Sequence, residues 1–155
     1  GSKREFLINT GPHIVCPYRS KRNTFALTDG NIIGAGDIYY ITRKDLSVSL
    51  NYILALLNSK PYYLWLYHRG KRKGETMELY QQPLSEIPIK KIAENEQKPF
   101  IEIVDKILTI TQSDDYLTNP EKQARVKDYE KQIDQLVYKL YGLMPEEITI
   151  VENSK

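Results

Sequence analysis

The chain has 155 residues, of which 41% are hydrophobic and 27% charged, with a formal net charge of +2. That length allows one ordinary domain with a proper core, and the hydrophobic content excludes intrinsic disorder. The longest apolar stretches are too short and too interrupted to span a bilayer, and no signal peptide opens the chain, so no membrane partner is expected. Charge is unevenly spread. Residues 1–90 hold 13 basic and 7 acidic side chains, a net of +6, whereas residues 91–155 hold 9 and 13, a net of −4. Cys16 is the single cysteine. It cannot form an internal disulfide, and a buried thiol in a reducing, cytoplasmic setting is expected. The opening Gly1-Ser2 reads as the remnant of a cleaved tag, so the chain is expected to be one domain of a larger parent.

In chain order, His13 to Tyr18 reads as a strand ending near Pro17, followed by a basic turn over Arg19-Ser20-Lys21-Arg22-Asn23. Thr24 to Thr28 reads as a second strand closed by Asp29-Gly30, and Ile38 to Thr42 as a third. The period then changes. Leu50, Ile53, Leu54 and Leu57 share one helical face, with Ser47 or Ser49 as cap. After the break at Asn58-Ser59-Lys60-Pro61, Tyr62 to His68 forms a second short helix ending at Gly70. Met77 to Tyr80 reads as a short strand, and Leu84 to Ile89 as a connector. Phe100, Val104, Ile107 and Thr111 fall on one helical stripe. Asn119-Pro120-Glu121 supplies a cap, a first-turn proline and an acid for another helix, and Val126, Tyr129, Ile133, Leu136 and Leu140 recur at spacings of 3 and 4 until Gly142. These two helices are expected to pair antiparallel. Residues 146–152 are expected to be an extended tail.

Candidate chemistry is sparse. His13 and His68 have no metal spacing between them, and one cysteine cannot build a thiolate cluster. Gly30, Gly34 and Gly36 lack both the dinucleotide spacing and the Gly-Lys-Ser/Thr ending of a phosphate loop, so turn geometry explains them. Glu96 and Lys98, with Asp29 and Asp37 upstream, have nuclease-like spacing but no strand to fix them. No Asn/Asp-Pro-Pro-aromatic loop for methyl transfer to adenine is present. No catalytic, metal or cofactor site is therefore expected in this chain.

Contact is the better reading. Arg19, Lys21 and Arg22 form one cationic turn, and Arg69, Lys71, Arg72 and Lys73 form another behind the aromatic run Tyr62 to Tyr67. If both edge one sheet, they can clamp a polyanion such as a duplex. Lysines suit phosphates, which position the protein; arginines can also address guanine O6 and N7. Asn23, Gln81 and Gln82 have the amide that reads adenine bidentately.

Several stretches, in order, resemble the C-terminal specificity domain of TaqI-like adenine-N6 methyltransferases and related fused restriction–modification enzymes. They are His13 to Ala26, Gly36 to Ile41, Tyr52 to Lys60 with its Leu56-Leu57-Asn58-Ser59-Lys60 ending, Arg69 to Gly74, Leu84 to Ile89, and Glu130 to Leu143. The resemblance implies a non-catalytic target-recognition module that binds double-stranded DNA, chiefly in the major groove. A separate methyltransferase domain would then flip the adenine and hold S-adenosylmethionine, and Mg2+ is a further cofactor that the parent could use. It places Arg19 to Asn23 and Arg69 to Gly74 toward DNA, and makes Asn58-Ser59 a helix end and turn.

The expected fold is α+β: a twisted mixed sheet with packed helices, then a C-terminal antiparallel helical pair. Residues 3–92 are expected to form the DNA target-recognition body, and 93–155 the helical pair and tail. The expected DNA-binding set is Arg19, Lys21, Arg22, Asn23, Arg69, Lys71, Arg72, Lys73 and Gln81. The alternative is a docking or spacer module, because the helical seam resembles the spacer helices of type I restriction specificity subunits.

Overall fold

The computed structural model describes residues 12–29, 38–79 and 81–154, and of Gln81 the backbone only. Gly30, Gly34, Gly36, Asp37 and Tyr80 lie outside the described residues. Strand β1 (His13–Pro17) buries Ile14 and Cys16 and pairs antiparallel with β3 (Ala26–Thr28) on one side and β4 (Ile38–Ile41) on the other. Burial pushes the Cys16 thiol up to about 12, which leaves it unreactive. One residue, Tyr18, separates β1 from β2 (Arg19–Ser20). There the chain joins a second three-stranded antiparallel sheet, in the order β2–β6–β5, with β5 (Lys71–Lys73) and β6 (Thr76–Glu78). The strands are thus shared between two small sheets rather than gathered in one.

Helix α1 (Leu50–Asn58) is buried on nearly every side, from Leu50 through Leu57, and is capped by Ser49, whose Oγ accepts from the Asn51 N–H at 3.2 Å. Its end is the Asn58-Ser59 break. Ser59 Oγ donates to the Leu56 carbonyl at 2.7 Å, and α2 (Lys60–Arg69) starts at once with Pro61 in its first turn. A short α3 (Gln81–Ser85) follows β6. Helices α4 (Glu94–Thr111) and α5 (Pro120–Tyr141) form the antiparallel pair. Lys122 bonds Ser113 at 3.1 Å beside the loop, and Lys106 lies 5.8 Å from the Tyr129 ring further along. Asn119 caps α5 as its sequence requires, accepting from the Lys122 N–H at 3.2 Å.

The pair lies on the sheet-bearing part instead of projecting from it. Phe100, Val104, Ile133 and Val137 share a core with Leu54, Leu57, Leu66 and Met77. Polar contacts fix the register. Buried Gln97 accepts from the Ser49 N–H at 2.8 Å and donates to the carbonyls of Ser47 and Ile92. Tyr52 packs edge-on against Phe100, with ring centroids 5.2 Å apart, and donates to the Lys90 carbonyl at 2.6 Å.

Residues 146–152 correct the expectation of an extended tail: they belong to helix α6 (Pro145–Asn153). The β-branched run Ile148-Thr149-Ile150-Val151 favours a strand by propensity alone. Pro145 in the first turn and Glu147, whose carboxylate accepts from the Met144 N–H at 2.7 Å, start a helix instead. Packing completes the override, since Val151 is buried and Glu152 accepts from Tyr138 and from Lys60 Nζ, both at 2.6 Å.

Asp134 links these helices. One of its oxygens accepts from the Lys60 N–H at 2.8 Å, capping α2 from across the core. Burial raises its pKa to about 6, with Lys60 opposing the shift and Glu152 and Glu130 adding to it. A carboxyl whose folded pKa lies above its unfolded value stabilises the fold when protonated, and that contribution is lost as pH rises from about 4 to about 6. Asp134→Asn keeps an acceptor for the Lys60 N–H and cannot ionise. Thermal melts should therefore show the variant gaining on the parent sequence between pH 4 and pH 7. An unchanged difference across that range would mean that the carboxylate is not strained by burial.

Candidate nucleic-acid interface

The two cationic segments meet on one sheet. Strand β6 is central; Arg19 of β2 and Lys71 of β5 both stand opposite Glu78. Residues directly opposite in an antiparallel ladder point to the same face. Met77 is 1% exposed and marks the inner face. Its partners Ser20 and Arg72 share that side, whereas Arg19, Lys71, Lys73, Thr76 and Glu78 share the outer one. Strand alternation therefore divides the run at 69–74. Arg69 ends α2, Lys71–Lys73 is a strand, and only Gly74-Glu75 is the turn. This corrects the expectation of four cations projecting from one turn.

Two glycines make the shape possible. At Gly70 an added Cβ would lie 2.8 Å from the Leu66 carbonyl oxygen, so the chain can leave α2 this tightly only without a side chain. Gly74 has φ of 65° and is followed by a residue with negative φ, the arrangement of a type II′ hairpin. That turn matches the strand twist and presents Gly74-Glu75 at the tip.

Carboxylates temper the positive face. Glu78 accepts an ion pair from Arg19 at 3.2 Å, and Glu75 one from Lys21 at 3.6 Å. The Lys21–Glu75 pair is 75% and 88% exposed, so it is screened and readily exchanged for a phosphate. Among the described residues, four cations (Arg19, Lys21, Lys71 and Lys73) still stand with two carboxylates on this side, and Arg72 adds a fifth charge from the inner one.

Aromatic rings seat the arginines. Arg72 lies 3.9 Å from the Tyr67 ring centroid, Arg19 5.2 Å from that of Tyr18, Arg22 5.9 Å from Tyr63 and Arg69 5.9 Å from Trp65. Tyr63 and Tyr67 are one helical turn apart on α2, their centroids separated by 5.9 Å. Arg22 and Arg72 therefore rest on one aromatic row, a second link between the two segments. Tyr63 and Tyr67 belong to the aromatic run that precedes the second cationic segment in the sequence, whereas Tyr18, Glu75 and Glu78 carry no such signal until the strand pairing is known.

Asn23 is placed differently from a base reader. Its Nδ2 donates to the Leu57 carbonyl at 2.6 Å and to the Ser59 carbonyl at 2.9 Å, so the amide anchors the loop to the α1–α2 junction. Arg22 turns toward Glu130 of α5 and, with Asn23 and Asp134, borders a cavity of about 550 Å³ lined by Leu54, Val104 and Ile133. Gln81 opens α3, three positions beyond Glu78 at the end of β6.

A family model described as the TaqI-like C-terminal specificity domain matches residues 2–89, a stretch that contains both cationic segments. The chain belongs to that family. Specificity domains of this kind are associated with adenine-N6 methyltransferases and restriction–modification systems, as modules distinct from the catalytic domain. The chain is also 36% identical, over 69 residues or 44% of its length, to the type II methyltransferases M.HincII and M.HindII, both of Haemophilus influenzae. It covers 14% and 13% of those proteins, so the specificity domain corresponds to a small part of each. No described helix of the domain is long and apolar enough to cross a membrane.

Proposed function

We propose that this specificity domain recognises double-stranded DNA through the β2–β6–β5 sheet, and that it serves a parent adenine-N6 methyltransferase, with or without a fused endonuclease. The observation that carries the reading is the pairing of both cationic strands with β6, which makes one electropositive ledge from segments more than 50 residues apart. A two-stranded ribbon such as β5–β6 has the width to enter a major groove. Lys21, Lys71 and Lys73 engage phosphates, with Arg19 and Arg69 at the flanks, and Gln81 is the candidate amide from the segment that follows the sheet. Asn23 acts by holding its loop, and Arg22 by closing that loop over α2 and α5. S-adenosylmethionine is bound by the parent's methyltransferase domain, since this chain carries neither the Asn/Asp-Pro-Pro-aromatic loop nor a phosphate-type glycine loop. Helix α2 meets the ledge at β5, and the helical pair packs in turn on α1 and α2.

Binding to a labelled duplex should be strongly salt-dependent. With about six phosphate contacts, raising monovalent salt from 50 to 200 mM should weaken affinity by about three decades. Affinity that ignores salt over this range would sink the proposal.

A further inference from the structure

We infer that Arg72, seated on Tyr67, is a specificity-determining residue that reads a guanine edge, while the lysines beside it contribute charge without sequence preference. The inference rests on the DNA-binding reading above and goes further by assigning a role within it. Three observations separate Arg72 from its neighbours. Its guanidinium carbon lies 3.9 Å from the Tyr67 ring centroid, a stacking distance, whereas the other three arginine–aromatic contacts among the described residues range from 5.2 to 5.9 Å. Among the described residues no carboxylate pairs with Arg72, in contrast to Arg19 with Glu78 and Lys21 with Glu75. Its platform is itself held, because Tyr67 also meets Tyr63 at 5.9 Å and His68 edge-on at 5.3 Å.

The physics of recognition favours such a residue. Reading guanine O6 and N7 takes two parallel N–H donors in a fixed plane. A free arginine must give up much of its rotamer entropy to supply them, but one already stacked on a ring has given up most of it beforehand. Arg72 lies on the Met77 side of β5 yet is itself exposed, so its guanidinium is open to a groove that takes the ribbon, whereas Lys73, exposed on the opposite side, has no plane to fix. It suits a phosphate at any sequence.

The test is selection from a pool of randomised duplexes by the full-length protein that carries the domain, followed by sequencing of the bound fraction. Arg72→Lys keeps the charge but not the plane. It should relax preference at one guanine-containing base pair by about one to two decades while leaving the salt slope unchanged. Tyr67→Leu should relax the same position to a smaller degree with Arg72 intact, a result that a purely structural role for the ring would not produce. Lys73→Ala should leave the selected sequence unchanged and lower the salt slope by about one. A selected sequence unaltered by Arg72→Lys, or loosened evenly at every position, overturns the assignment while leaving DNA binding in place. If the unmutated protein shows no salt-dependent binding at all, the functional reading fails with it.

Discussion

Replacing Lys71, Arg72 and Lys73 together by alanine should remove about two decades of duplex affinity at physiological salt. Each phosphate contact releases about 0.9 of a counterion, which at 0.15 M salt contributes about 1 kcal/mol. Losing two lysine–phosphate contacts and the Arg72 base contact should therefore cost about 3 kcal/mol and flatten the salt slope by about 1.8. The fold should survive the change. All three side chains are exposed, and the β5–β6 hairpin keeps its Gly74 turn and the bond from Thr76 Oγ1 to the Lys73 carbonyl at 2.9 Å. Circular dichroism and melting can confirm this alongside fluorescence anisotropy. If the triple variant binds as tightly as the parent sequence, the ledge is not where DNA lies. The control is an equal loss of charge elsewhere, at Lys98, Lys106 and Lys127 of the helical pair, which should leave affinity nearly unaltered.

The second large effect concerns stability, at Asn58. Its Oδ1 accepts from the Phe25 N–H at 2.9 Å, and its Nδ2 donates to the Phe25 carbonyl at 3.0 Å. The side chain thus acts as a length of β-strand, pairing both backbone groups of one residue 33 positions away. Asn23 returns the favour by donating to the carbonyls on either side of Asn58, those of Leu57 and Ser59. Asn58→Ala leaves two half-buried backbone groups unpaired, at a cost of about 3 kcal/mol, or close to 10 °C in melting temperature for a domain of this size. Because Phe25 follows the cationic loop, DNA affinity should fall as well. Asn58→Asp provides the internal check. At neutral pH a carboxylate faces the Phe25 carbonyl and repels it, whereas once protonated it can donate as the amide did. The aspartate variant should accordingly recover part of its lost stability at pH 4, and the alanine variant should not. Equal behaviour of the two across pH would show that the clasp is not the source of the effect.

Much of this architecture is written locally. The α5 helix is announced by Asn119-Pro120-Glu121 and ended by Gly142, and the cap bond at Asn119 forms as expected. Strands β1, β3 and β4 lie within the β-branched and aromatic runs that suggest them. The break at Asn58-Ser59 is a helix end and a turn, as the resemblance to the TaqI-like specificity domain implies. The misreading at 146–152 has a local cause of another kind. The β-branched run Ile148 to Val151 favours an extended chain, but Pro145 and Glu147 start a helix and burial of Val151 completes it.

Amino-acid order alone therefore determines the helical pair, the strand-forming runs, the two basic segments and the family. Spacing, capping and charge content need only neighbours in the chain to be read. Tertiary structure decides what those basic segments become. Pairing of β2 and β5 with β6 sets Arg19 and Lys71 against the same glutamate, sends Arg72 to the aromatic side and Lys73 to the open one, and commits Asn23 to backbone carbonyls. The reason is physical. The direction of a side chain on a strand is fixed by register, register is fixed by a partner strand, and here the partners are separated by nearly 60 residues for β2 and β6.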